Sequence, residues 1–328
     1  MLTSLTKISF YFPDKILLNA ELSKEFDTAE DKIFKSTGIK KRYISAGNEL
    51  ASDMACKAAE TFFTEYKVEK KSIDFLIFCS GCYDYIAPAT SCILQDRIGL
   101  NKTIGCLDVP HGCSGYVYGL AMAKSLILAN MAQNVLFITA DTSTKTISPK
   151  NLELRSIFSD AASVTLLNKK NCKDIGEFVF GTDGSGRENI YISRSAFRQP
   201  IDKDFIEKEN LPSGKMIMDG LEIFNFALRV VPKLVLDIIE KNKLKMEAID
   251  LFVFHQPSRF LLEVLRKKLN IQEAKFFINI EEHGNTVSTT IPLALKDAER
   301  SGKLKKGMNV LVAGFGIGYS WAGTVIRT

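Results

Sequence analysis

The stretch Ile73-Asp-Phe-Leu-Ile-Phe78 returns 176 residues later as Ile249-Asp-Leu-Phe-Val-Phe254, and Asn134-Val-Leu-Phe-Ile138 returns 175 residues later as Asn309-Val-Leu-Val-Ala313. Two apolar, strand-like segments repeated at nearly one offset mark an internal duplication. Each half also carries helix-patterned stretches between its strands, 91–98 and 115–129 in the first, 258–269 and 288–301 in the second. Continuous apolar strands alternating with helices predict α/β layers built on buried, mainly parallel strands. Residues 171–218 fit neither half, being rich in Gly, Asp, Arg and Asn, as in Gly181-Thr-Asp-Gly-Ser-Gly186. They read as an inserted loop or cap region, which divides the chain into 1–170, 171–218 and 219–328. A long helix is expected over 219–242, with Ile223, Phe226, Val230, Leu234 and Ile238 near helical spacing and Pro232 kinking it.

Composition narrows the class. The chain has 328 residues, 46% hydrophobic and 25% charged, enough to bury a large core. Its net charge of +5 is too small and too dispersed to argue for nucleic acid, though it suits an acidic partner. Seven cysteines scattered through strands and helices read as reduced thiols. The start Met1-Leu-Thr-Ser-Leu-Thr-Lys7 lacks a secretory pattern, and no run reaches the ~18 apolar residues of a membrane helix. A cytoplasmic protein without membrane insertion is the expectation.

Chemistry centres on His111-Gly-Cys-Ser-Gly-Tyr-Val-Tyr-Gly-Leu120, where Cys113 falls between a short strand and an amphipathic helix. Unpaired N–H groups at a helix start favour the thiolate, the species that attacks carbonyl carbon. His255 ends an apolar strand in Phe254-His-Gln-Pro257, and Asn285 lies in His283-Gly-Asn-Thr286. Shifting Cys113 by the repeat offset of 175 reaches Ser288, so the two loops correspond and would meet under pseudo-twofold packing. Cys, His and Asn together suggest thioester or acyl chemistry. The same order also fits a papain-like cysteine protease, with His255 falling 142 residues after Cys113, but those enzymes place their cysteine near the mature N-terminus. His111 and His283 could join Cys113 around zinc, yet no pair has a metal-site spacing, so no metal is expected and both are read as lining or supporting the site. Cys79-Ser-Gly-Cys82 stands alone and reads as structural.

The chain resembles the β-ketoacyl-acyl-carrier-protein synthase III family of the thiolase superfamily along essentially its whole length. The motifs are Thr37-Gly-Ile, Gly-Cys-Ser-Gly around Cys113, Phe158-Ser-Asp-Ala-Ala, Phe254-His-Gln, Gly284-Asn-Thr and Gly314-Phe-Gly-Ile-Gly-Tyr-Ser-Trp-Ala-Gly323, in the family's order. The resemblance implies an α/β fold, the thiolase-like five-layered αβαβα duplication, and a homodimer. It implies a catalytic Cys113, His255 and Asn285, with an oxyanion site at the backbone N–H of Cys113 and of Gly316-Ile317. Acyl-coenzyme A or acyl-carrier protein would load Cys113, malonyl-carrier protein would condense with it, and no permanently bound cofactor is implied. A related acyltransferase forming an ester or amide is the rival within the superfamily.

Several positions depart from the family pattern. Lys32 and Ser36 replace the Trp and Arg that hold the adenine and phosphate of coenzyme A, and Ser258 replaces a pantetheine-contacting Asn, with Arg259 beside it. Ala87 matches a bulky residue that reaches across the dimer to shorten the acyl tunnel, so a roomier acyl pocket is expected. On the helix after His255, Arg259, Arg266 and Lys267 are candidates for docking an acidic carrier protein.

Overall fold

The computed structural model describes residues 7–193, 195–198 and 214–328. Its strands are β1 (Ile8–Tyr11), β2 (Lys15–Leu18), β3 (Lys41–Ile44), β4 (Phe75–Cys79), β5 (Gly105–Val109), β6 (Asn134–Asp141), β7 (Ala161–Asn168), β8 (Val179–Thr182), β9 (Ile190–Ile192), β10 (Met216–Met218), β11 (Leu251–Phe254), β12 (Asn309–Gly316) and β13 (Ser320–Arg327). Two sheets carry the duplication, β1-β7-β6-β4-β5 and β11-β12-β13-β8, beside the ribbons β2-β3 and β9-β10.

Strand period explains the layers, because successive side chains point to opposite faces. In β4, Leu76 and Phe78 pack outward under the helices Ala51–Tyr66 and Thr90–Ile98, whereas Ile77 and Cys79 face the centre. In β11 and β12, Leu251, Val253, Val310 and Val312 face the centre, and Phe252, Phe254, Leu311 and Ala313 pack outward under Gly220–Lys241 and Arg259–Lys268. Between the sheets, Gly115–Leu128 and Thr290–Arg300 fill the central layer with Val117, Leu120, Ile291 and Ala294. The order is helix, sheet, helix, sheet, helix, the five-layered αβαβα duplication that the resemblance implies. A strand buried on both faces needs no polar alternation, which is why these segments read as unbroken apolar runs.

The repeat shows in the register. Leu76 pairs with Leu136 between parallel β4 and β6, and Phe252 pairs with Leu311 between parallel β11 and β12. The strands run mainly parallel, with one reversed strand in each sheet: β7 runs against β1, β6, β4 and β5, and β13 runs against β11, β12 and β8; only three residues join β12 to β13, too few for a parallel crossover. Within the 171–218 stretch, β8 pairs with β13 as β1 pairs with β7, and Ile175 bridges to Ile326. Residues 199–213 of that expected cap lie outside the described residues. Among the described residues, the second half has no full counterpart of β5, only a bridge between Phe252 and Phe276. The expected long helix forms as Gly220–Lys241, started by Asp219 accepting from Leu221 and Glu222, and it runs unbroken through Pro232.

Candidate active site

Cys113 sits in the tight connection from β5 to Gly115–Leu128, and the end of β12 is drawn against it. A Cβ on Gly314 would stand 2.9 Å from the Cys113 carbonyl oxygen, and one on Gly316 would stand 2.8 Å from Cys113 Sγ. Glycine at both positions is what permits the approach. The thiol is buried, which pushes it up to about 12 against the pull of the backbone N–H groups of Ile317 and of Cys113 itself. The expected effect of the helix start is therefore outweighed by desolvation. These are the two backbone groups at which the resemblance implies an oxyanion site, and Ile317 follows the Gly316 that makes the contact possible.

His255 leaves the end of β11 with its backbone N–H bonded to the Ala313 carbonyl at 2.8 Å. Its ring is buried, and burial holds it neutral, pushed down to about 3. Nδ1 lies 2.7 Å from Thr290 Oγ1, which also lies 3.1 Å from the Val287 carbonyl. Asn285 is clamped by its backbone: its N–H donates to the Ile157 carbonyl at 2.9 Å and its carbonyl accepts from Ser159 at 3.0 Å. Its side-chain Oδ1 accepts the Val287 N–H at 2.9 Å. That bond leaves Nδ2 as its donor for a visitor.

Two cavities meet at Cys113. One, of about 240 Å³, is lined by Cys113, His255, Asn285, Ser258 and Phe224. The other, of about 460 Å³, runs past Tyr83, His111, Asp141, Thr146 and Tyr191. Phe158, Ile190 and Ile317 line both, so a molecule entering beside His255 and Asn285 reaches the thiol with open space behind it.

Of the three predicted residues, all line the smaller cavity together, carried by three loops that the duplication brings to one place. His111 lines the larger cavity, stacked on Tyr118 with centroids 4.3 Å apart. His283 does not line the site: its Nε2 pairs with Asp297 at 2.7 Å and its ring stacks on Phe12. Ala87 lines neither cavity and is exposed on the loop after β4, next to the exposed Tyr85 and Ile86. Ser258 caps Arg259–Lys268 by accepting from Leu261, Arg259 pairs with Glu281, Arg266 pairs with Glu263, and Lys267 is exposed. Among the described residues no group of three or more His, Cys, Asp or Glu is arranged to hold a metal, and no helix is long and apolar enough to cross a membrane.

Comparison with known sequences decides the family. Residues 107–184 match 3-oxoacyl-[acyl-carrier-protein (ACP)] synthase III, and residues 239–328 match the C-terminal part of the same family. The chain is 33% identical over 320 residues to a beta-ketoacyl-[acyl-carrier-protein] synthase III of Caldanaerobacter subterraneus subsp. tengcongensis, covering 97% of this chain and 95% of the relative. The chain belongs to the 3-oxoacyl-[acyl-carrier-protein] synthase III family. A synthase III of Clostridium tetani is 34% identical over 97% of this chain and 96% of its own length. Among solved structures, a 3-oxoacyl-(acyl-carrier-protein) synthase III superposes with a TM-score of 0.94 at 38% identity, covering all of both chains. The synthase III of Thermus thermophilus gives 0.88 at 31% identity over 98% of each. Membership in the synthase III family leaves no place for the papain-like protease reading.

Two further residues belong to the site. Thr290 hides in the polar run Thr286-Val-Ser-Thr-Thr290, where no one hydroxyl stands out. Asp141 had a visible signal, a carboxylate ending an apolar strand at the edge where α/β sheets bind ligands. It is buried, accepts from the Gly81 N–H at 2.7 Å and from the Ser288 hydroxyl, and desolvation pushes it up to about 7.

Proposed function

We propose that this chain is a decarboxylative condensing enzyme that joins an acyl group, held on Cys113, to a malonyl-carrier protein. The observation that carries the reading is the shared cavity in which Cys113, His255 and Asn285 converge with a second cavity behind the thiol. Cys113 Sγ attacks the acyl thioester as its thiol proton passes to the departing sulfur, the tetrahedral oxyanion is held by the N–H groups of Cys113 and of the Gly316-Ile317 turn, and the coenzyme A or carrier thiol leaves. The malonyl thioester then loses CO2, and its electron pair stays as an enolate. That carbon attacks the acyl-Cys113 carbonyl and expels the thiolate, giving a β-ketoacyl thioester.

The second half-reaction needs neutral donors at the enolate oxygen. Asn285 supplies Nδ2, because its Oδ1 is already engaged. His255 supplies Nε2–H in the tautomer in which the single Thr290 hydroxyl proton turns to Nδ1 at 2.7 Å and leaves the Val287 carbonyl, to which it can otherwise donate at 3.1 Å. A neutral imidazole suits this role, and burial keeps it neutral. Thiol and hydrogen-bond donors complete the chemistry, so no resident cofactor is called for.

The larger cavity falls within the ~300–1,000 Å³ of sites that bury a sizeable ligand, which supports an acyl chain longer than acetyl. A homodimer is supported by β5, an edge strand of its sheet among the described residues that bears the exposed Leu107, in the same half as the exposed Tyr85, Ile86 and Ala87. Carrier docking is supported by the face around Arg259, Arg266 and Lys267, where Phe260 is exposed and stacks on the cavity-lining Phe224. Seven free cysteines fit a reducing cytoplasm.

Intact-protein mass spectrometry with acyl donors of increasing length, on coenzyme A and on carrier protein, tests the assignment. The expected result is an acyl adduct on wild type that Cys113→Ala lacks, best formed from chains longer than acetyl. Discharge of that adduct to an amine or alcohol without CO2 would identify an ester- or amide-forming transferase instead.

A further inference from the structure

A guanidinium lies beneath the loop that presents Asn285. Arg42, in β3, is 0% exposed, and all its acceptors are neutral. Nε donates to the Ser156 carbonyl at 2.9 Å, a contact shared by Nη2, while Nη2 also lies 3.4 Å from the Ile39 carbonyl and Nη1 meets Asn19 Oδ1. No carboxylate among the described residues pairs with it, and burial lowers its pKa to about 10. A buried cation without a counter-ion is costly, and an apolar side chain of similar volume is often the more stable choice. Its presence calls for a reason other than stability.

The contacts supply one. Ser156 opens the loop that receives Asn285: the Ile157 carbonyl accepts the Asn285 N–H, Phe158 and Asn285 form a parallel bridge, and the Ser159 N–H donates to the Asn285 carbonyl. The residue after Arg42 completes the clamp, since the Tyr43 N–H donates to Ser159 Oγ at 2.8 Å. Gly284 closes over the top at φ +67°, where an added Cβ would stand 2.9 Å from Ser159 Cβ and 3.3 Å from Arg42 Cγ. The stem of Arg42 thus touches the residue before Asn285, and its head holds the loop on which Asn285 is hydrogen-bonded.

We propose that Arg42 is a positioning residue for Asn285, fixing Nδ2 where the malonyl-derived enolate oxygen develops charge and taking no part in loading Cys113. The inference rests on the role given to Asn285 above. A planar fork is required, because one head must reach the Ser156 carbonyl and the Asn19–Ile39 side at once, which an ammonium cannot do.

The test separates the two half-reactions in the full chain. Arg42→Lys and Arg42→Met are scored for Cys113 acylation by mass and for CO2 released from malonyl-carrier protein by the acylated enzyme. We expect acylation within about threefold of wild type and CO2 release lower by about ten- to a hundredfold, the scale of a 1 Å misplacement. Combining Arg42→Lys with Asn285→Ala should cost no more than Asn285→Ala alone. Arg42→Lys carries the same comparison if Arg42→Met does not fold. Equal losses in both half-reactions, no loss in either, or additive losses in the double variant would overturn the proposal. A wild type that forms no Cys113 adduct would overturn the underlying reading instead.

Discussion

Asn285 Oδ1 accepts the backbone N–H of Val287 at 2.9 Å, so the carboxamide is locked with its Nδ2 as the group left for a ligand. The bond assigns the amide orientation from chemistry, since a backbone N–H cannot pair with an NH2 group. It also separates what Asn285 offers the substrate from what it offers the fold.

Replacing Asn285 by Asp keeps the acceptor for Val287 and removes the donor. Acylation of Cys113 should persist, whereas decarboxylation should fall by about 10²–10³, the usual cost of losing one preorganised donor. Stopped-flow CO2 detection on pre-acylated enzyme measures the second step alone. Equal loss of both steps would count against the division of labour.

Thr290→Val removes the hydroxyl 2.7 Å from His255 Nδ1 while keeping the shape of the side chain. The ring then loses the partner that presents Nε2–H. Condensation should slow at least about tenfold, and stability should drop by about 1–3 kcal/mol, because the buried Nδ1 that accepts the hydroxyl proton loses its partner. Chemical denaturation and kcat measured together check both parts.

Two buried groups give stability opposite slopes with pH. The Asp141 carboxyl, pushed up by burial from 3.8 to about 7, binds a proton in the folded state over that window and not in the unfolded chain. Its contribution is therefore lost as pH rises through the window. His255, pushed down from 6.5 to about 3, refuses a proton that the unfolded chain accepts, so its contribution is lost as pH falls below 6.5. Asp141→Asn should gain in Tm relative to wild type as pH rises from 4 to 8, and His255→Gln should gain as pH falls over the same range. Melting curves across that range read both signs.

Gly316→Ala places a methyl group within van der Waals overlap of Cys113 Cβ and Sγ. The turn must shift, moving the Ile317 N–H away from the thiol, at a cost of about 1–3 kcal/mol for overpacking. Alkylation of Cys113 by iodoacetamide and acylation by a thioester should both slow. An unchanged acylation rate would show that this N–H does not serve the reaction.

The duplication was legible because strands buried on both faces advertise themselves as apolar runs, and two such runs repeat at nearly one offset. The meeting of the Cys113 and Asn285 loops followed from that offset, whereas His255 was marked by its motif alone. What the pattern could not carry was the reversed strand in each sheet and non-local support. β8 looked like part of an inserted loop because Val179-Phe-Gly-Thr182 is a four-residue edge strand with little apolar length, and only its partner β13 defines it. His283 looked like a site residue by its nearness to Asn285, but the turn at Gly284 sends it to Asp297 instead. Arg42 and Thr290 act through contacts to residues far away or to carbonyls, which no spacing rule in one chain reveals.

The most direct test loads Cys113 with one acyl group, removes free donor, and adds malonyl-carrier protein labelled in its free carboxyl group. The reading predicts one labelled CO2 per acyl-enzyme discharged, with the acyl carbons and two malonyl carbons recovered in one β-ketoacyl thioester. Discharge of the acyl group without labelled CO2, or CO2 release with the acyl group still on Cys113, would contradict it.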